Sequence, residues 1–261
     1  MKYGFIGCGN MGGALARALS LSTKDVLIAD ISPAAEALAK ELGCVYGNND
    51  QAAENCDRIF LGLKPQILKA VLAPVAPILA RRKPLIVTMA AGMEIAQIED
   101  AIGCKLPVIR IMPNTPVAVG KGMILYCRNE LVDDATLAEF LEDMRFAGRL
   151  DAIDEKLIDA ASALSGCGPA YMYMFIEALA DGAVACGVPR AKAIEYAAAT
   201  MAGAAEMVLT SNQHPGALKD SVCSPGGSTI AGVKALEESG FRGAAIDCIA
   251  AAYKRTLELG K

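Results

Sequence analysis

Through its first half the chain alternates short apolar runs with amphipathic stretches, and Gly, Pro, Asn or Asp punctuate the joins. The runs at 2–6, 25–29, 44–46, 58–63, 85–89, 108–112, 122–127 and 149–153 predict buried strands. Between the last two runs, helical spacing covers 133–146. Strands separated by helical stretches imply an α/β fold with a parallel sheet core, here with added outer strands at its end. Beyond residue 154 the strand pattern stops. Helices are predicted at 155–164, with Asp154 as cap, and from Pro169 through 186. Further helices are predicted at 190–209, 229–238 and 242–259, with a loop at 211–216. The expected division is therefore an α/β domain over 1–153 and an all-α domain over 154–261. Alanine-rich helices pack closely, so the second domain is expected to be a compact bundle. So much apolar surface on so small a unit favours dimerisation through these helices over a self-sufficient monomer.

The turns at the ends of the predicted strands carry the chemistry. After the first comes Gly7-Cys8-Gly9-Asn10-Met11-Gly12, opening directly into a helical stretch. Strand, glycine turn and helix together form the dinucleotide-binding fingerprint of a Rossmann domain. Gly7 makes the tight turn, Gly9 lets a pyrophosphate approach the backbone, and Gly12 lets the helix close on the strand. The second strand ends at Asp30, near the spacing of the acidic residue that binds the adenosine ribose. A carboxylate there accepts both ribose hydroxyls and repels a 2'-phosphate, which favours NADH over NADPH. The plainer role for Asp30 is to start the turn in which Ser32 caps the next helix and Pro33 takes its first position. Three later strands end in Leu63-Lys64-Pro65, in Ala90-Ala91-Gly92 and in Pro113-Asn114-Thr115-Pro116. Small, polar or proline-bounded turns on one presumed edge mark a cofactor cleft.

A second candidate site is Val222-Cys223-Ser224-Pro225-Gly226-Gly227-Ser228-Thr229-Ile230. Paired glycines precede a helix whose first N–H groups lack partners, an arrangement suited to a carboxylate or phosphate. The alternative is a helix-helix turn with a Ser/Thr cap.

Composition narrows the classes. The 261 residues are 54% hydrophobic with a formal net charge of −4, and no basic cluster larger than Arg81-Arg82-Lys83 offers a nucleic-acid surface. The most apolar helix, 170–186, carries Glu177 and Asp181 and reads as a buried helix of a soluble protein, not a membrane span. Met1-Lys2 leads straight into a strand, without signal-peptide form. Nine cysteines without a Cys-x-x-Cys pair point to reduced thiols in a cytoplasmic protein, with neither a metal site nor disulfides. The single histidine, His214, precedes Pro215-Gly216 and suits a loop or capping role better than proton transfer.

Taken together, these segments resemble the pyrroline-5-carboxylate reductase family over essentially the whole chain. The resemblance is carried by Phe5 to Gly12, Lys64-Pro65, Ala90-Ala91-Gly92 and Met112 to Pro116. It is most specific in Leu218-Lys219-Asp220, Val222 to Ile230 and Leu236-Glu237. Ser165-Gly166-Cys167-Gly168-Pro169 also matches, with Cys167 where Ser is expected. The resemblance implies NAD(P)H-dependent reduction of a cyclic imine to L-proline, the last step of proline biosynthesis. It implies a homodimer through the helical domain, within larger rings in some members. By position, Cys8, Asn10, Met11, Asn49, Leu63, Lys64, Pro65 and Ala91 would contact the dinucleotide, joined by Ser221 from the helices. Glu155, Ser228 and Thr229 would line the substrate site, with the substrate carboxylate at Gly226 to Thr229, facing the nicotinamide held by the other subunit. NADPH is the commoner cofactor of the family, and the acidic Asp30 departs from its usual Ser-rich loop.

A protonated imine is already electrophilic, so the protein mainly orients two reactants. The absence of a catalytic dyad fits this. The Thr229 hydroxyl is the candidate to hydrogen-bond the ring nitrogen, too weak an acid to serve as a general acid. A β-hydroxyacid dehydrogenase needs a lysine base on its long helix, and 170–186 contains none. A dinucleotide sensor would need neither the Ser224 to Thr229 loop nor the Lys64-Pro65 edge.

Overall fold

The computed structural model describes residues 1–259. It forms two compact units, Met1–Cys167 with the segment from Ala252, and Gly168–Ala251.

The first unit is built on an eight-stranded sheet ordered β3-β2-β1-β4-β5-β6-β7-β8. Its strands are β1 (Tyr3–Ile6), β2 (Val26–Ala29), β3 (Val45–Gly47), β4 (Arg58–Leu61), β5 (Leu85–Thr88), β6 (Val108–Met112), β7 (Gly122–Arg128) and β8 (Gly148–Ala152). The first six are parallel, β7 runs antiparallel to β6, and β8 is parallel to β7. Every predicted strand is present, with ends displaced by a residue or two. The run 58–63 stops pairing at Leu61 because Gly62 and Leu63 turn away toward the next helix.

The helices are α1 (Asn10–Leu19), α2 (Pro33–Leu42), α3 (Asn49–Asn55), α4 (Pro65–Leu72), α5 (Ala76–Arg82), α6 (Ile95–Ile102), α7 (Asp134–Asp143) and α8 (Glu155–Ser165). Strands buried on both faces need a helical layer on each. On one face Leu15, Leu19, Leu38 and Phe140 close over Phe5 and Phe60, whose rings stack at 4.5 Å. On the other, Leu68, Leu79 and Ile98 close over Ile6, Ile59 and Ile86. Each such fully buried side chain contributes about 1.5–3 kcal/mol over exposure.

This unit does not end at Ile153, where the strand pattern stops. It continues through α8 to Cys167. The reason is ionic: Arg110 on β6, 1% exposed, takes its two carboxylate partners, Glu155 and Asp159, from α8.

The second unit contains α9 (Gly168–Ala185), α10 (Arg190–Ser211), α11 (Pro215–Ser221), α12 (Ser228–Glu238) and most of α13 (Phe241–Leu259). Helix α9 packs along α10. The alanine-rich helices leave much of their apolar surface uncovered, as expected of a unit that was not read as self-sufficient. Ala180 and Ala193 are the only buried hydrophobic side chains among its described residues, while Tyr173, Met174, Tyr196 and Ile246 are exposed. Helices apolar on several faces need neighbours on several faces, and a single chain does not supply them. Helix α11 takes in the last two residues of the expected loop, 215–216, and continues to Ser221. His214 caps it, with Nδ1 accepting from the Gly216 N–H at 3.0 Å. No described helix is long and apolar enough to cross a membrane.

Candidate active site

Strands β1 and β4 are neighbours, yet the chain leaves them in opposite directions, toward β2 and toward β5. Such a switch point opens a crevice at the carboxyl ends of the strands. Here the crevice floor is a glycine interlock. Gly7 has φ +86°, and a Cβ on Gly62 would lie 2.2 Å from the Gly7 carbonyl oxygen. A Cβ on Gly12 would lie 2.8 Å from that oxygen, while one on Gly9 would meet nothing within 4 Å. The backbone is therefore packed tightly beneath the turn and open above it. Helix α1 starts at this opening with Gly9 as N-cap, no capping side chain and no acidic residue in its first turn. Its free N–H groups form an anion cradle, and the residues present fit a dinucleotide pyrophosphate.

Asn10 is exposed and Met11 half-buried in the first turn of α1. Cys8 offers only backbone. Burial, then the nearby Asp30 charge, pushes its thiol up to about 12, and it stays neutral.

On the β2 side, Asp30 secures two turns. One carboxylate oxygen accepts from the Cys8 N–H at 2.6 Å and the other from the Ser32 N–H at 2.7 Å. The plainer role is thus filled: Asp30 starts the turn before α2. Asp30, Ile31, Tyr46, Gly47, Asn48, Asn49 and Gln51 line an open cleft of about 400 Å³, without a lysine or arginine. Ser32 caps α2 by accepting from the Ala34 N–H at 3.3 Å. Asn49 is the first residue of α3, which Asn48 caps in a capping box with Gln51.

On the β5 side the turns behave differently. Lys64 is the exposed N-cap of α4, Pro65 its first residue, and Leu63 half-buried beside it. Ala90 is buried, Ala91 half-buried, and Gly92 turns with φ +71°. Asn114, expected among the cofactor contacts, is instead a buried brace. Its Nδ2 donates to the Ser165 carbonyl and its Oδ1 accepts from the Met123 N–H, both at 2.9 Å. Glu155 is also engaged: one oxygen accepts from the Ile95 N–H at 2.7 Å and from Arg110 at 3.4 Å. Arg110 also donates to Asp159 at 2.5 Å.

Sequence reasoning passed over Gly62, Ile31, Arg110 and Asp159. A glycine closing a strand run and a lone arginine inside one were the available signals.

In the second unit, Gly226 turns with φ +68°, and the Gly227 N–H donates to the Ser224 carbonyl at 3.0 Å. Gly227 is the N-cap of α12, without a capping side chain. The Ser/Thr cap of the plainer alternative does not form. Ser228 and Thr229 are instead the exposed first two helical residues, and no side chain caps the first-turn N–H groups. Ser221, at the end of α11, donates its hydroxyl to the Leu218 carbonyl at 2.7 Å.

Against known proteins, the chain is 41% identical to the pyrroline-5-carboxylate reductase of Escherichia coli (strain K12) over all of its own length and 98% of that protein. The chain belongs to the pyrroline-5-carboxylate reductase family. It is 40% identical to the family member from Pisum sativum, over 98% of this chain and 95% of that one. Residues 155–259 match the family model for pyrroline-5-carboxylate reductase dimerisation. Residues 2–92 match one described as NADP oxidoreductase coenzyme F420-dependent. The crystal structure of Plasmodium falciparum pyrroline carboxylate reductase with NADP bound superposes with a TM-score of 0.90 at 33% identity, over all of this chain and 98% of that one.

Proposed function

We propose that this chain is an NAD(P)H-dependent oxidoreductase that reduces 1-pyrroline-5-carboxylate to L-proline, the last step of proline biosynthesis. Full-length likeness to members of that family supplies the substrate. The observation that carries the chemistry is the glycine interlock beneath an open, uncapped helix start at the sheet's switch point, which suits a dinucleotide pyrophosphate. The nicotinamide, when bound, supplies the hydride. The protein's own work is positional.

The Gly7 to Gly12 turn and the start of α1 take the pyrophosphate. Asp30, Ser32 and Asn49 border the adenosine ribose. Leu63, Lys64, Pro65, Ala90 and Ala91 flank the nicotinamide half, with Ser221 contributing from the helices. The uncapped start of α12, from Ser224 through Gly226, Gly227, Ser228 and Thr229, holds the substrate carboxylate, and Glu155 borders the same site. In this reading the Thr229 hydroxyl bonds the ring nitrogen. A substrate that arrives as a protonated imine needs no base, so an enzyme made chiefly of backbone N–H groups suffices.

NADH is the cofactor this reading favours. A 2'-phosphate would meet the Asp30 carboxylate in a groove without a cation to offset it. The exposed apolar helices support a homodimer through the helical domain. Steady-state kinetics with pyrroline-5-carboxylate and each cofactor in parallel test the proposal. Turnover to proline is expected; none with either cofactor refutes the activity, and a strong NADPH preference refutes only the part assigned to Asp30.

A further inference from the structure

Arg110 is the largest fully buried side chain of the first unit, and it lies in a strand otherwise made of Val, Ile and Met. Its Nε has no partner, and its two other nitrogens go to carboxylates on α8. Ion pairs of this kind are poor sources of stability, because desolvation offsets much of the attraction. A buried guanidinium left short of a partner therefore needs another reason to be there.

The reason lies in what Glu155 does with the oxygen that Arg110 touches. That oxygen also accepts the N–H of Ile95, the first residue of α6. Helix α6 begins two residues after the Ala90-Ala91-Gly92 turn that follows β5, with Glu94 as its N-cap. With the pyrophosphate at the β1/β4 switch point and the adenosine on the β2 side, the sheet order leaves the nicotinamide half to β4 and β5. A second tie works from the other end of α8, where the Ser165 carbonyl accepts from Asn114 at the end of β6. Helix α8 thus clamps the turns after two successive strands, and Arg110 anchors the clamp to the sheet.

We infer that Arg110, together with Asp159, is a positioning residue for the nicotinamide end of the site: the pair holds Glu155 against the Ile95 N–H and so sets the Ala90-Ala91-Gly92 turn. The inference rests on the proposed reductase activity. It separates the two halves of the cofactor. Loosening the clamp disturbs the hydride-donating ring, while the glycine interlock and the Asp30 groove still hold the rest.

Asp159→Asn and Arg110→Lys in the full chain test this. Hydrogen exchange is measured across 90–97 without cofactor, the NADH dissociation constant by NADH fluorescence, and turnover with NADH deuterated at C4. The expected result is faster exchange of the Ile95 amide and NADH affinity within about twofold of the parent. With them, kcat should fall by about tenfold or more and the primary isotope effect should rise as hydride transfer becomes limiting. A folded variant with parental exchange and isotope effect overturns the positioning role, as does a loss of NADH affinity matching the loss of kcat. If Asp159→Asn does not fold, Arg110→Lys decides, because it keeps the charge and loses only the fork. An unsubstituted chain without turnover on either cofactor overturns the reductase reading itself, whereas a turning-over parent with unaltered variants overturns only this inference.

Discussion

Two alanine substitutions, one above the glycine turn and one beneath it, should separate binding from stability. At Gly9 the backbone has φ −67°, open to any residue, and an added methyl meets nothing within 4 Å. Gly9→Ala should therefore fold as the parent does, with Tm unchanged. The same methyl would stand where the pyrophosphate must come close to the first N–H groups of α1. Losing one charge-assisted hydrogen bond there costs about 1.5–3 kcal/mol, or about 10- to 100-fold in NADH affinity. At Gly62 the methyl would lie 2.2 Å from the Gly7 carbonyl oxygen, where ordinary contact begins at 3.4 Å. Backbone cannot swing aside as a side chain can, so the β1 and β4 turns must part. An overpacking cost of about 1–3 kcal/mol results, lowering Tm by about 3–10 °C. Thermal unfolding and NADH fluorescence titration read both variants. Parental NADH affinity in Gly9→Ala would show that the cofactor does not approach there, and parental Tm in Gly62→Ala would show that the interlock is not tight.

Three further outcomes are expected. Thr229→Ala should lower kcat/KM for pyrroline-5-carboxylate at least about tenfold with NADH affinity retained, as for an interaction made chiefly in the transition state. An unchanged value removes Thr229 from the mechanism. Asp30→Asn keeps one acceptor, for the Cys8 N–H, gives up the one for the Ser32 N–H and removes the charge, so NADPH should gain on NADH by about five- to tenfold in kcat/KM, the ~1 kcal/mol between two unit charges about 4 Å apart in water. An unmoved ratio assigns the preference elsewhere. Burial holds the thiols of Cys8, Cys56 and Cys127 at about 12, about 11 and about 12, above the ordinary 9.0. Because the folded values are raised, this stabilisation is complete below pH 9.0 and is lost as pH rises through the folded values. Tm should begin to fall above that point, less so in Cys56→Ala, and a Tm insensitive to alkali would contradict the burial.

Much of the architecture was legible because its signals are local. A run of β-branched and aromatic residues bounded by turn formers defines a strand wherever it stands, so all eight strands were expected within a residue or two. The fingerprint is local as well: Gly7 turns with positive φ, Gly12 sits tight against the Gly7 carbonyl, and Gly9 faces open space, all within one turn. His214 as a cap and Ser32 with Pro33 at the start of α2 belong to the same class.

Contacts distant in sequence decided the rest. Gly62 matters only because β4 lies beside β1, and nothing near residue 62 announces that neighbour. Nothing near Arg110 in the sequence announces that α8 brings Glu155 and Asp159 to it, and that pairing carried the first unit past Ile153 to Cys167. Asn114 stood in a turn that fitted a cofactor contact, yet folding spends both ends of its amide on Met123 and Ser165. The helical half shows the same limit. Alanine and methionine content reveals helices that want partners, but only the folded chain shows how little of their apolar surface it covers by itself. Sequence by itself determined which segments would be strands, helices and glycine turns at helix starts, because backbone propensity and side-chain spacing act over a few residues. Tertiary structure alone decided which polar groups were free for a ligand and which were consumed as braces, because that depends on which strands become neighbours.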